Sequence, residues 1–254
     1  MTASFSDHFS RSAAEYAAFR PRYPDALFDA LAELAPAREL AWDCATGSGQ
    51  AASGLAGRFR RVIATDASRA QLSAAPALGG VEFRAAPAEA SGLADATVDI
   101  VTVAQALHWL PLPAFYAEVR RVLRPGGALA VWCYGLLEAG DAAIDAALRE
   151  FYVDIVGPHW PPERRHVDSG YRDLPFPFPE LPVPSFAMQH AFTLDDLVGY
   201  IGTWSAVQRY RDACGVDPLP IVGRAVAATW GPRTHARVLH FPLSVRVGRK
   251  PEHA

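Results

Sequence analysis

The sequence of 254 residues has no long apolar run, and no stretch approaches the roughly 20 apolar residues that a membrane-spanning helix requires. Residues 1–16 alternate polar and apolar side chains and contain no apolar signal core. We therefore predict a cytoplasmic protein that does not work at a membrane.

Cysteine is scarce as well. Cys44, Cys133 and Cys214 are too few and too widely spaced for a disulfide framework, and none forms a C-x-x-C pair. The eight histidines are dispersed and include no H-x-x-x-H pair. The sequence therefore predicts reduced, mostly buried thiols and no metal site.

Neither sign of charge is in excess, since 24 basic and 27 acidic residues give a net charge of −3. Such a balance creates no global field for nucleic acid, so we expect no nucleic-acid partner. With 50% hydrophobic and 20% charged residues, the composition is typical of a globular protein. The length predicts one large α/β domain with an insertion, or one domain with a small appendage.

Short β-branched runs alternate with helix-like segments between residues 40 and 134. Strands are predicted at residues 40–44, 61–65, 81–85, 98–103 and 128–134, and helices at residues 50–58, 68–75 and 113–123. This alternation predicts a doubly wound, Rossmann-like α/β fold, in which helices cover both faces of a mostly parallel sheet.

The pattern divides the chain into four segments. Residues 1–36 are predicted to form a helical lid, residues 37–156 the cofactor-binding core, residues 157–236 a Pro-rich and helical insertion on the substrate side, and residues 237–254 a C-terminal strand that completes the sheet. Residues 157–184 hold eight of the 21 prolines, which predicts an irregular, unpacked excursion. Strands near 185–191 and at 237–247 are expected to form an antiparallel edge of the sheet.

A glycine turn follows the first predicted strand. Gly47, Gly49 and Ala52 match G-x-G-x-x-G/A, in which glycine permits a tight turn and close approach of a ligand to the backbone. Asp66 lies 19 residues after Gly47, at the end of the second strand, where a carboxylate can accept hydrogen bonds from ribose. The pair predicts a nucleoside cofactor. The alternative is a plain turn followed by a helix N-cap at Asp66.

Asp43 narrows the class of cofactor. A carboxylate four residues before Gly47 would repel a dinucleotide pyrophosphate and attract a ligand that carries an ammonium group. S-adenosylmethionine carries an ammonium and a sulfonium.

At this point the sequence resembles the class I S-adenosylmethionine-dependent methyltransferases, whose first motif, acid-x-G-x-G-x-G, spans residues 43–49 here. Ala45 replaces the first glycine of the motif, so we expect the backbone there to avoid positive φ. Three later segments also resemble the family: residues 87–89, 103–109 and 118–127. The resemblance implies S-adenosylmethionine as cofactor, bound by Asp43, Ala45, Thr46, Gly47, Gly49, Asp66, Ala67, Ala88, Glu89 and Gln105.

Residues 19–24, 105–109 and 203–208 are similar to small-molecule methyltransferases related to trans-aconitate methyltransferase. This resemblance implies a small-molecule acceptor, with a carboxylate favoured. It suggests Arg20 and Arg209 for binding the carboxylate. Trp109, Tyr134 and Trp204 are further candidates for substrate binding, because they fall near the predicted cleft, where an aromatic face could hold a sulfonium or an apolar substrate. The arginines are candidates because their guanidinium groups bind carboxylates through two hydrogen bonds.

His108 is the candidate catalytic residue, with two roles left open. As a base it would take a proton from a hydroxyl or amine acceptor, and as an orienting group it would only hydrogen-bond the acceptor. Two alternative functions also remain at this stage. One is an NAD-dependent oxidoreductase that shares the glycine turn, and the other is a non-catalytic protein that binds S-adenosylmethionine.

Overall fold

The computed structural model describes residues 21–252. Its centre is a seven-stranded sheet with the strand order β3-β2-β1-β4-β5-β9-β6, and β7 and β8 form a separate two-stranded sheet. The strands are β1 (Leu40–Cys44), β2 (Arg61–Asp66), β3 (Val81–Ala85), β4 (Val98–Ala104), β5 (Leu123–Tyr134), β6 (Glu180–Leu181), β7 (Met188–Phe192), β8 (Arg237–Phe241) and β9 (Leu243–Arg249).

Helices cover both faces of the large sheet. They are α1 (Asp25–Leu34), α2 (Gln50–Leu55), α3 (Arg69–Ser73), α4 (Leu112–Val122), α5 (Ala142–Glu150), α6 (Arg164–Asp168), α7 (Leu194–Gly202), α8 (Ser205–Cys214) and α9 (Leu219–Trp230). A π-helical turn, Phe151–Ile155, continues α5, and short 3-10 turns lie at Leu107–Trp109 and Gly157–His159.

The predicted doubly wound fold is confirmed. β1 pairs in parallel with β2 on one side and with β4 on the other. The direction of winding therefore reverses between β1 and β4, and in open α/β sheets ligands bind beyond the carboxyl ends of the strands at such a point. Most residues of β1, β2, β4 and β5 are buried, which explains why these strands appear in the sequence as short apolar runs.

The first described helix belongs to the core. α1 buries Leu27, Phe28 and Leu31 against the sheet. Phe28 packs so close to Gly54 in α2 that a Cβ atom at that glycine would lie 2.1 Å from its ring. The predicted lid begins earlier in the chain, and residues 1–20 of it, with Arg20, lie outside the described residues.

The C-terminal part of the chain differs from the expected single strand. The predicted strand at 237–247 is interrupted at Pro242, which has no N–H to donate to a sheet. β8, before the break, pairs with β7, whereas β9, after it, pairs antiparallel with β5. The prediction that the segment near 185–191 joins the main sheet was therefore wrong.

The edge of the main sheet comes instead from the Pro-rich segment. β6 pairs antiparallel with β9, and Arg246 and Glu180 form a salt bridge of 2.7 Å across this pair. Val167, Tyr171 and Phe178 are buried in the same segment. Residues 157–184 are irregular as predicted, but the expectation that they do not pack was wrong because aromatic side chains anchor them between the prolines.

Residues 124–127, which separate the predicted helix at 113–123 from the predicted strand at 128–134, are part of β5. Gly126 adopts φ +74°, and the pairing of β4 with β5 shifts register between Val98 and Ile100. The glycines thus permit an irregularity within a long strand. Within residues 21–252, no helix has the length and apolar character needed to cross a membrane.

Candidate active site

A cavity of about 1210 Å³ opens at the carboxyl ends of the central strands. One end is formed by the glycine turn after β1 and the loops after β2 and β3, and the other by the insertion around α6 and the start of α8. The fold thus forms the cavity where the change of winding direction between β1 and β4 predicts a ligand site.

The turn after β1 contains three left-handed positions. Ala45, Gly47 and Gly49 have φ values of +54°, +58° and +85°. The expectation that Ala45 avoids positive φ was therefore wrong. The turn is held by a hydrogen bond from the Thr46 N–H to the Thr65 carbonyl (2.9 Å), so the tertiary contact imposes a strain of about 1 kcal/mol on Ala45.

Asp43 lies beneath this turn and does not itself line the cavity. Its carboxylate is fully buried and accepts hydrogen bonds from the hydroxyls of Thr46 and, at 2.7 Å, Thr102. Burial raises the pKa of Asp43 to about 6, although the two threonines oppose this shift. Any attraction between Asp43 and an ammonium group therefore acts across Thr46, without direct contact.

Asp66 lines the cavity and also holds the turn in place. One carboxylate oxygen accepts a hydrogen bond from the Gly47 N–H (2.9 Å) and the other from the Ser68 N–H (2.8 Å). A carboxylate oxygen can accept more than one hydrogen bond. Asp66 can therefore hold the turn in place and contact a ribose in the same geometry.

The remaining predicted cofactor residues, Thr46, Ala67, Ala88, Glu89 and Gln105, also line the cavity. Gln105 adopts φ +54°, and its side-chain amide exchanges two hydrogen bonds of 3.3 Å with the backbone of Tyr134. The loop after β4 is thereby fixed to the end of β5.

His108 lies on the cavity wall, in the short turn after β4. Its Nδ1 is 2.9 Å from the hydroxyl oxygen of Tyr171. Burial, together with smaller contributions from Arg164 and His166, lowers the pKa of His108 to about 3. His108 is therefore neutral near pH 7 and poorly suited to hold a proton, which favours the orienting role over the base.

An aromatic wall, which we define as Tyr152, Trp160, Tyr200 and Trp204, closes the other end of the cavity. The Trp204 ring centre lies 5.6 Å from that of Tyr152, 5.8 Å from that of Trp160 and 6.0 Å from that of Tyr200. Trp109, Tyr134 and Trp204, which the sequence suggested for acceptor binding, all line the cavity.

Arg164 also lines the cavity and was missed in the sequence. Its guanidinium carbon lies 4.7 Å from the ring centre of Trp160, its Nε donates to the Tyr152 hydroxyl (2.7 Å), and Asp168 is 3.5 Å away. Residues 161–165 are Pro-Pro-Glu-Arg-Arg, a run without apolar periodicity that gives no signal for the site. Arg209, which the sequence suggested, is not part of the cavity wall.

No group of three or more His, Cys, Asp or Glu side chains in the described part of the chain could hold a metal ion. Cys44 and Cys133 are buried, and burial raises the pKa of both thiols. Neither thiol is therefore a ready nucleophile.

Comparisons with known proteins identify the family to which the chain belongs. Residues 42–131 match a family model described as a methyltransferase domain. A Dictyostelium discoideum protein assigned as a methyltransferase is 35% identical over 220 residues, which cover 85% of this chain and 83% of that protein. The chain belongs to the class I S-adenosylmethionine-dependent methyltransferases.

A solved structure supports the same family. It is assigned as a type II methyltransferase from Anaeromyxobacter dehalogenans, is 47% identical, and matches with a TM-score of 0.87 over 92% of this chain and 99% of its own. A Saccharomyces cerevisiae protein assigned as an S-adenosylmethionine-dependent methyltransferase is 32% identical over 130 residues, about half of each chain. These findings do not favour the NAD-dependent or non-catalytic alternatives, and the trans-aconitate subgroup stays a prediction.

Proposed function

We propose that this methyltransferase transfers the methyl group of S-adenosylmethionine to a small organic acceptor that carries a carboxylate. The observation that carries the proposal is the shared cavity, which joins the glycine turn at one end to Arg164 and the aromatic wall at the other. A cofactor and an acceptor bound at these two ends would meet inside the protein.

The residues at the glycine turn fit the cofactor. The Asp66 carboxylate lines the cavity where it would accept from ribose hydroxyls, and Ala67, Ala88 and Glu89 line the adjoining wall for the adenine. The backbone of Thr46 and Gly47 lines the part of the cavity where the methionine portion of the cofactor would bind. The buried carboxylate of Asp43 lies beneath this backbone. When bound, S-adenosylmethionine supplies an activated methyl group.

Arg164 is suited to hold an anionic acceptor. Its Nε is occupied by Tyr152, but neither terminal nitrogen has a hydrogen-bond partner among residues 21–252. Burial would by itself lower the pKa of Arg164, yet Tyr152 and Asp168 keep it raised, so the charge is retained. The Arg164 side chain is only 20% exposed and is stacked on Trp160, so its guanidinium group is held in place to make two hydrogen bonds to a carboxylate.

A carboxylate acceptor also agrees with the electrostatics of His108. A carboxylate is ionised near pH 7 and needs no base before it attacks a methyl group. A neutral hydroxyl or amine would need a proton acceptor, and the pKa of His108, about 3, is too low for that task. The residues around the acceptor therefore act by alignment and by exclusion of water.

Thermal melting and an acceptor screen test the proposal. S-adenosylmethionine and S-adenosylhomocysteine should raise the melting temperature, with a stabilisation of roughly 2.7 kcal/mol at 100 times Kd, whereas NAD should not. The screen should pair each organic acid with its amide, and only the acids should be methylated. A shift with NAD alone, or turnover of the amides at equal rates, would contradict it.

A further inference from the structure

Tyr171 connects the insertion to the active site. It follows α6, adopts φ +62°, and is fully buried between the insertion and the sheet. Its hydroxyl lies 2.9 Å from Nδ1 of His108, and the two ring centres are 5.8 Å apart. A side chain 63 positions further along the chain thus makes the one hydrogen bond found for His108 in the described structure.

The burial of the Tyr171 hydroxyl decides which of the two side chains donates this hydrogen bond. A buried O–H group needs an acceptor, and within residues 21–252 His108 Nδ1 is the acceptor placed at hydrogen-bond distance. The phenol therefore donates its hydrogen to Nδ1 of His108, because the reverse arrangement would leave a buried O–H donor without an acceptor among residues 21–252.

A histidine that accepts at Nδ1 carries its hydrogen on Nε2. Nε2 has no hydrogen-bond partner in the part of the chain that the structure describes, and it is not among the buried polar atoms that lack partners. His108 lines the cavity, with the Trp109 ring centre 4.7 Å from its own. The Nε2–H group of His108 therefore lies on the exposed edge of the ring, at the cavity wall.

We propose that Tyr171 is a positioning residue that fixes His108 as the Nε2–H tautomer, so that His108 donates a hydrogen bond to an oxygen atom of the acceptor. This inference rests on the proposed function, since it requires the acceptor to occupy the cavity. Burial, and to a smaller extent Arg164 and His166, disfavour the protonated form of the ring. His108 thus orients the acceptor throughout the neutral pH range, and no proton passes to it during methyl transfer.

Nitrogen-15 NMR of the full chain tests the tautomer without any substrate. The His108 signals should show Nε2 protonated and Nδ1 unprotonated between pH 6 and pH 8. Tyr171→Phe should abolish this preference and give a mixture of the two tautomers. Tyr116→Phe is the matched control, because Tyr116 is also a buried tyrosine whose hydroxyl donates to the insertion, at the Pro175 carbonyl (2.8 Å), but it lies outside the cavity wall. A protonated Nδ1 in the unaltered protein would overturn the proposal.

Kinetics with an acceptor found in the screen test the consequence. Tyr171→Phe should lower kcat/KM for the acceptor about threefold to tenfold, the usual effect of one neutral hydrogen bond, and leave the Kd for S-adenosylhomocysteine unchanged. His108→Gln keeps an N–H donor and should retain more activity than His108→Ala. A limb near pH 6.5 in kcat/KM that disappears in His108→Ala would overturn the proposal.

The two proposals fail separately. If the acceptor is not a carboxylate, the screen of acids fails while the NMR result still decides the tautomer. If Tyr171→Phe proves too unstable to study, the spectrum of the unaltered chain and the comparison of His108→Gln with His108→Ala remain decisive.

Discussion

The two ends of the cavity are built by different means. The end at which we propose that the cofactor binds, called the cofactor end, is made largely of backbone, in turns that directly follow β1, β2 and β3, with Asp43 and Asp66 hydrogen-bonded to the turn itself. The end proposed for the acceptor, called the acceptor end, is made of large side chains, such as Trp160, Arg164 and Trp204, that come from separate parts of the insertion. The first end depends on local chain geometry, and the second on packing between distant segments.

This difference predicts two kinds of mutational effect. A change at the cofactor end should act through the shape of the backbone and should alter stability and cofactor affinity together. A change at the acceptor end should remove one side-chain contact and alter acceptor binding alone. The four predictions that follow test this separation.

The largest effect is expected at Gly49. Its φ is +85°, and a Cβ atom there would lie 2.8 Å from the ring of Phe83. Gly49→Ala should therefore add backbone strain of about 1–2 kcal/mol and a steric cost of about 1–3 kcal/mol. The melting temperature should fall, and S-adenosylhomocysteine should bind on the order of a hundredfold more weakly by calorimetry.

Gly57→Ala is the control for this change. Gly57 also has a positive φ, +80°, but a Cβ atom there would meet no other atom within 4 Å, and the residue is outside the cavity wall. This variant should be destabilised by strain and should keep full cofactor affinity. Equal losses of affinity in the two variants would mean that the glycine turn has no special role.

Arg164→Gln should give the next largest effect. Hydrogen bonds to charged groups contribute about 1.5–3 kcal/mol, so the acceptor KM should rise on the order of tenfold to a hundredfold. Arg209→Gln, outside the cavity wall, is the matched control and should change neither kcat nor KM. Steady-state kinetics with a carboxylate acceptor measure both constants. A larger effect at Arg209 would instead support Arg209 as the acceptor-binding arginine that the sequence suggested.

The effect of Asp43 should depend on pH. Because the pKa is raised to about 6 in the folded protein, from 3.8, the folded state holds this proton more tightly than the unfolded chain does. The contribution of Asp43 to stability is therefore fully present below pH 3.8 and is lost as the pH rises through 6.

Cofactor affinity should respond in the opposite direction. Ionised Asp43 attracts the ammonium group of S-adenosylmethionine, so binding should tighten roughly tenfold between pH 5 and pH 7.5. Asp43→Asn should remove most of this dependence in calorimetry, since its amide can still hydrogen-bond both threonines. An unchanged pH profile in the variant would show that the buried charge does not contribute to cofactor binding.

The smallest effect is expected at Ala45. Ala45→Gly should relieve the strain of a left-handed alanine, offset in part by the greater freedom of glycine in the unfolded chain, for a gain of about 1 kcal/mol or less. Ala74→Gly is the control, because Ala74 has φ −88° and its replacement should destabilise. Denaturant titration compares the two. A loss of stability in Ala45→Gly would show that Ala45 is not strained.

The sequence by itself determined the parallel strands β1 to β5 and the glycine turn that follows β1. Strand β1, the glycine turn and Asp66 were predicted because apolar runs, glycines and a following carboxylate are local features with fixed spacing. The family assignment agrees with that prediction, and so does the cavity at the ends of the strands.

Only the tertiary structure decided the conformation of Ala45 and the break at Pro242 that separates β8 from β9. It also decided that Arg164 lines the cavity and that Arg209, the arginine suggested by the sequence, does not. The same holds for the hydrogen bond between Tyr171 and His108, which lie 63 positions apart. The physical reason is that each feature depends on contacts between segments that are far apart in the chain. The turn at Ala45 is held by Thr65, β9 pairs with β5 beyond Pro242, and Arg164 and Tyr171 are placed by the packing of the Pro-rich segment. No spacing along the chain encodes those contacts.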